Sequence, residues 1–258
     1  MGIDLLSCDA KICTFDCIYC QLGKTLTYTN ERKLYVPIEA VIKELEILPE
    51  IKIDHITFSG RGEPTLAANL GEAIKAVKLI RKEPIAVLTN STLMDREDVR
   101  KELILADFVI AKLDACSQES LKKINNPVPA IEFGDIVDGI KQFRKEYNGK
   151  LALQVMFIEE NKDKFAQLAY LVNYIKPDEV QINTPLRPCN IKPLPKEEIL
   201  KIKEIFTSAC KPTPCAQGVG KGEFRHKEIN VISVYDERVL KDVLPVSDED
   251  TLKRRGKV

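Results

Sequence analysis

Tryptophan is absent from the 258 residues, histidine occurs only twice, and neither sign of charge prevails, since Lys+Arg and Asp+Glu both number 39. His55 and His226 stand too far apart in the chain, and too isolated, to suggest a catalytic pair. Zero formal charge without an acidic or basic tail removes any electrostatic bias towards nucleic acid or anionic lipid, so a basic patch would have to be local. No apolar run approaches the roughly 18 residues of a spanning helix. Nor does the segment Met1–Lys11 carry a basic region ahead of a long apolar stretch, and the expected location is the cytoplasm. The eight cysteines are too few for a disulfide-built scaffold, and internal repeats and low-complexity segments are lacking.

What remains is the profile of an ordinary globular chain, 44% hydrophobic and 30% charged, long enough for one large core. A short apolar run at 2–6 is followed by a polar, cysteine-bearing stretch over 7–35, which reads as a long functional loop. Apolar spacing then predicts helices over 37–48, 70–81, 96–105, 131–147 and 164–175. They alternate with strands at 53–59, 85–89, 108–113, 151–158 and 179–183. Such alternation is the mark of parallel βαβ units, and about six of them fall short of a closed eight-stranded barrel. The expected fold is α/β, a partial (β/α)6 TIM-like barrel over 1–190. Pro185, Pro188, Pro193 and Pro195 mark a boundary, and 191–258 is expected to add a helix at 196–208, a Pro- and Gly-rich loop at 211–225 and a strand at 229–235.

Three of the cysteines crowd into Cys13-Thr14-Phe15-Asp16-Cys17-Ile18-Tyr19-Cys20. Pairwise crosslinks there would constrain almost nothing, whereas three thiolates at this spacing let one loop wrap three corners of an iron–sulfur cubane. A ferredoxin would supply a fourth cysteine; three leave one iron open to a chelating molecule. Two other readings stand beside this one. The cysteines could form a buried face of a helix, although Asp16 and the turn-rich surroundings disfavour one. Alternatively, Cys17 and Cys20 could join Cys210 and Cys215 in a structural zinc site, making the chain a noncatalytic nucleic-acid-binding or regulatory module.

The CxxxCxxC loop following a first short strand, with the aromatic Tyr19 beside its last cysteine, resembles the signature of the radical S-adenosylmethionine (SAM) superfamily. That resemblance implies a partial barrel with a [4Fe–4S] cluster at the carboxyl ends of the strands. It also implies reductive cleavage of S-adenosylmethionine to a 5′-deoxyadenosyl radical that abstracts hydrogen from a substrate, with an external one-electron reductant such as ferredoxin or flavodoxin. Gly62-Glu63-Pro64, after the second predicted strand, is similar to the superfamily's motif for the methionine ammonium group, with Arg61 in place of its first glycine. Physically, Gly62 admits a close backbone approach, Glu63 offers a carboxylate and Pro64 fixes the turn. Asn90 and Ser91 resemble a segment that contacts the cofactor, though both are also common helix caps. Gln154 and Met156 lie on a later strand from which adenine could be reached, Met156 reading more readily as core.

Within the superfamily, Cys13–Gly23, Phe58–Leu66, Lys112–Ala115 and Asn183–Pro188 are similar to compact members of the group that contains the 4-demethylwyosine synthases, over residues 2–190. The upstream cysteine series of those synthases is missing apart from Cys8. The resemblance therefore leaves a peptide or protein, a tRNA nucleoside and a small metabolite as substrate classes. Lys112 and Asp114 share a strand end predicted to face the cavity, which makes them candidate substrate contacts or a simple ion pair. Arg187 could grip a carboxylate or phosphate bidentately, or merely be solvated. Cys116, Cys189, Cys210 and Cys215 could hold a second Fe–S cluster, or be unrelated thiols.

Overall fold

A computed structural model describes residues 1–7, 10–47, 53–210 and 228–236. In chain order the strands are β1 (Gly2–Ile3), β2 (Ile12–Cys13), β3 (Thr27–Tyr28), β4 (Ile56–Phe58), β5 (Ile85–Thr89), β6 (Phe108–Lys112), β7 (Lys150–Met156), β8 (Glu179–Asn183) and β9 (Asn230–Ser233). The helices are α1 (Ile38–Glu46), α2 (Leu70–Ile80), α3 (Glu97–Leu103), α4 (Gln118–Ile124), α5 (Phe133–Glu146), α6 (Phe165–Ile175) and α7 (Lys196–Ala209). Seven strands form one all-parallel sheet in the order β1-β4-β5-β6-β7-β8-β9, while β2 and β3 make a separate parallel pair. Parallel neighbours need long crossovers, and from β4 to β9 each crossover carries at least one helix. β1 and β9 end the order without pairing to each other, so the sheet is open, the architecture of a partial barrel.

Period-two alternation divides the strand residues between two surfaces. Val87, Val109, Ala111, Leu151, Leu153, Val180 and Ile182 join the main core with the apolar stripes of the helices, among them Ile136, Ile140 and Phe143 of α5. The other surface carries Ala86, Leu88, Phe108, Ile110 and Ala152 as a smaller apolar patch. Further along the strands it turns polar, because Lys112, Gln154 and Gln181 are register partners in one row across β6, β7 and β8. This polar row lies at or beside the carboxyl ends, where parallel α/β folds place their sites.

The expected C-terminal extension continues these layers. β9 pairs with β8, and Lys203 of α7 bonds Asp236 just beyond β9 at 2.7 Å. The Pro- and Gly-rich loop expected at 211–225 and Cys8 lie outside the described residues. Among the described residues no helix is long and apolar enough to cross a membrane.

Gly139 shows how tightly α5 meets the segment after β5. A Cβ there would stand 2.4 Å from the Asp95 nitrogen and 2.6 Å from the Met94 carbonyl carbon, both backbone atoms that cannot swing away. Gly139→Ala should therefore destabilise the fold by about 1–3 kcal/mol, despite the better helix propensity of alanine, and lower the thermal midpoint by several degrees in a denaturation scan.

Candidate functional site

The cysteine loop is clamped from two sides by backbone pairing. On one side Asp4 accepts from the amides of Leu6 and Arg61, both at 2.9 Å, tying the end of β1 to the turn after β4. Ile12 then bridges Gly62, with the Ile12 amide donating to the Arg61 carbonyl and the Glu63 amide to the Ile12 carbonyl, both at 3.1 Å. On the other side the Asp16 and Ile18 amides donate to the carbonyls of Asn125 and Ile124 at 2.9 and 3.0 Å, and Val128 donates to Thr14 at 2.9 Å. Sequence reading anticipated a ligand against Gly62; the close approach seen here is that of the Ile12 carbonyl, which an added Cβ would meet at 1.6 Å.

The loop closes on itself through turns, Cys20 donating to the Cys17 carbonyl and Gly23 to that of Cys20, both at 3.0 Å. Gly23 has φ 76°, which glycine adopts without a Cβ penalty. Cys13, Cys17 and Cys20 are all free thiols, Cys13 being buried. Burial pushes the Cys13 thiol up to about 12 and the Cys17 thiol to about 11, with the charge of neighbouring thiolates and carboxylates adding to the rise. Cys13 and Cys17 are therefore protonated without metal, and ligation must displace their protons. Among the described residues no three Cys, His, Asp or Glu side chains gather to the reach of a single metal ion.

N–H donors meet two of these sulfurs. The Asn90 amide nitrogen lies 3.5 Å from Cys13 Sγ and the Asn125 amide nitrogen 3.4 Å from Cys17 Sγ. Lys11, with only 6% of its side chain exposed, donates to the Gly23 carbonyl at 3.1 Å. Burial works against its charge, but its pairing with the three cysteines once they are thiolates more than offsets this and holds its ammonium above the ordinary lysine range. A buried cation and amide donors beside thiols are the surroundings an anionic thiolate cluster needs.

Glu63 is 2% exposed, and burial pushes its carboxyl up against the pull of its donors. Oε1 accepts from the Thr65 amide at 3.1 Å and from the Thr65 and Thr89 hydroxyls, both at 2.7 Å; Oε2 accepts from the Asn90 amide at 2.6 Å. These bonds join the Gly-Glu-Pro turn to the end of β5, and they leave a lone pair of Oε2 for one more donor. Pro64 opens the short 3₁₀ turn Pro64–Leu66, where its fixed φ suits the first helical position. Ser91 has φ 73° and donates its hydroxyl to the Lys112 carbonyl at 3.0 Å, so it staples β5 to β6.

Lys112 and Asp114, expected together at a strand end, take different parts. Asp114 is 3% exposed and accepts from the Tyr19 hydroxyl, from the Asn125 amide at 3.1 Å and from the Met156 backbone at 2.7 Å. It binds the cysteine loop to β7 from within. Burial, then the charge of Asp114, keeps the Tyr19 phenol well above its ordinary range. Lys112 is the more accessible member, its ammonium 3.7 Å from Asp114 and 5.2 Å from the Tyr19 ring centre. Gln154, half-buried, donates to Gln181 at 3.0 Å, and Met156 packs beside Tyr19 and Ile158. Arg187 reaches back to Gln21 of the cysteine loop at 3.2 Å.

Of the remaining cysteines, Cys189 packs, as Cys17 does, against the cluster of Tyr19, Ile124 and Ile158. Cys116 precedes α4 beside Ser120, Cys189 donates to the Ile191 carbonyl at 3.2 Å, and Cys210 caps α7, buried in the main core. Cys215 lies outside the described residues.

Sequence reading missed α4 and the asparagine that follows it. Its signals were present: Ser117 and Ser120 form a reciprocal cap, Leu121 and Ile124 are the buried pair, and Asn125-Asn126-Pro127 stops the helix. Nothing local showed that 124–128 would pair with the cysteine loop.

Comparison with known proteins places these observations. Residues 9–172 match the family model described as the Radical SAM superfamily. A UPF0026 protein of Synechocystis is 40% identical over 199 residues, covering 76% of this chain and 73% of that protein. Among solved structures, Streptococcus suis SuiB bound to S-adenosylmethionine superposes with a TM-score of 0.66 at 13% identity, over 96% of this chain and 54% of that one. Archaeal TYW1 gives a TM-score of 0.53 at 18% identity, over 70% of this chain and 67% of that one. The chain thus spans about half the length of SuiB, and at these identities both structures speak to the fold alone.

Proposed function

The chain belongs to the radical SAM superfamily, and on that premise we propose that it is an enzyme that holds a [4Fe–4S] cluster through Cys13, Cys17 and Cys20 and uses S-adenosylmethionine to oxidise a substrate by hydrogen abstraction. The observation that carries this reading is the loop itself: three free thiols, clamped on both flanks by backbone hydrogen bonds, with amide donors on two of the sulfurs. Held by Cys13, Cys17 and Cys20, such a cluster would supply the one-electron reduction of S-adenosylmethionine that generates a 5′-deoxyadenosyl radical, with the electron coming from an external donor of the ferredoxin or flavodoxin type.

The chain's own residues position and exclude. Glu63, kept rigid by its donors, offers its remaining lone pair to the methionine ammonium, and Asn90 lies at the same strand end. Tyr19, fixed by Asp114, forms a buried apolar wall with Ile124 and Ile158, which keeps water from the cysteine loop. Gln154 stands in the polar row towards adenine, and Lys112 in the same row contacts the substrate.

Anaerobically reconstituted, dithionite-reduced protein is expected to convert S-adenosylmethionine into methionine and 5′-deoxyadenosine, measured by chromatography. A fully loaded cluster that gives neither cleavage nor a spectral change on adding S-adenosylmethionine would overturn the proposal.

A further inference from the structure

Two asparagines from distant parts of the chain converge on adjacent cysteines. Asn90 follows β5, Asn125 caps α4, and their sulfur partners are Cys13 and Cys17. Building on the cluster reading above, we propose that the side-chain amides of Asn90 and Asn125 set the reduction potential of the iron–sulfur cluster, raising it by hydrogen-bonding to two of its three thiolates.

Amide orientation decides whether a donor or an acceptor faces each sulfur, and in both cases the surroundings fix it. Asn90 Oδ1 accepts from the amide and the hydroxyl of Thr92 at 3.1 and 2.8 Å, which leaves Nδ2 facing Cys13 and the Thr14 hydroxyl at 2.7 Å. Asn125 is 1% exposed, and its Nδ2 faces Cys17 Sγ, the Asp114 carboxylate at 3.1 Å and the Tyr19 oxygen at 3.2 Å. Its Oδ1 has no partner. Turning the amide over would set that oxygen against a carboxylate and a thiolate, so an unpartnered oxygen is the smaller cost. A structural asparagine would satisfy its carbonyl; this one leaves it bare and directs its N–H groups at negative atoms.

Adding an electron makes a thiolate-bound cluster more negative without making or breaking a bond. A donor on sulfur stabilises that reduced state more than the oxidised one, and hydrogen bonds to the sulfurs are among the determinants of cluster potential. The effect is strong here because the site is buried. The Lys11 ammonium acts in the same direction, whereas Asp114 opposes it from behind Asn125.

The test is an EPR-monitored redox titration of the full-length, anaerobically reconstituted protein, comparing the wild type with Asn125→Leu and Asn90→Leu, which remove the donor at similar volume. Each variant is expected to load as much iron as the wild type. At a fixed solution potential its reduced-to-oxidised ratio should fall about tenfold, a midpoint lower by about 59 mV for a one-electron couple. Asn125→Ser serves should a leucine variant not load iron. Loaded variants with an unmoved midpoint would overturn the proposal. So would wild-type protein that loads iron when no variant does, since the asparagines would then be purely structural. Wild type that binds no cluster would instead end the cluster reading on which this proposal rests.

Discussion

Serine at Cys13, Cys17 or Cys20 should abolish the cluster, taking iron from about four atoms per chain in the wild type to background and S-adenosylmethionine cleavage with it. A serine oxygen is a poor substitute for a thiolate on iron, and a cluster held at three points has none to spare. Cys116 lies beside Ser120 ahead of α4 and Cys210 is buried in the main core at the end of α7, and neither is counted among the three ligands. Serine at Cys116 or Cys210 is accordingly expected to keep the full iron content and the brown charge-transfer absorption. Iron assay and absorption spectra of the five variants check this together. About eight irons in the wild type, falling to about four in the Cys116 or Cys210 variant, would instead reveal a second cluster.

The barrel was legible in the sequence because its signals are local. β5 reads as a strand from its unbroken run Ile85-Ala86-Val87-Leu88-Thr89, buried on both surfaces as a central parallel strand must be. α6 and β8 likewise announce themselves by period and length, and the observed bounds Phe165–Ile175 and Glu179–Asn183 lie within a residue of those expected. The cysteine spacing is just as local, three thiols within eight positions, and the proposed cluster loop is read from it without tertiary information. What the sequence hid are pairings over distance. Asn125 and Cys17 are 108 positions apart, and no period or cap relates them. Asp114 reads from sequence as a cavity-facing carboxylate at a strand end, a substrate contact or an ion-pair partner of Lys112; the fold shows it buried under Tyr19 and Asn125. β2 and β3, with two residues each, fall below any length at which alternation can be counted.

Gly62→Ala should detach the cysteine loop while leaving most of the sheet intact. Glycine is required at 62 by contact rather than by backbone angle: a Cβ would fall 1.6 Å from the Ile12 carbonyl oxygen, 2.7 Å from its carbon and 3.0 Å from Leu6 Cδ1. The first two are backbone atoms of the residue before Cys13, so relief requires the loop itself to move. Movement breaks the Ile12–Arg61 and Glu63–Ile12 hydrogen bonds and draws Cys13 away from Asn90. Overpacking and two lost hydrogen bonds together cost roughly 2–5 kcal/mol. The Gly62 turn lies beyond β4, so β5 through β9 should keep their pairing. Far-UV circular dichroism is expected near wild type, with iron retention after gel filtration cut to a small fraction. Gly134→Ala is the matched control, since nothing lies within 4 Å of a Cβ there, and it should retain iron fully. Equal iron retention in the two variants would show that the Gly62 turn does not hold the cysteine loop in place.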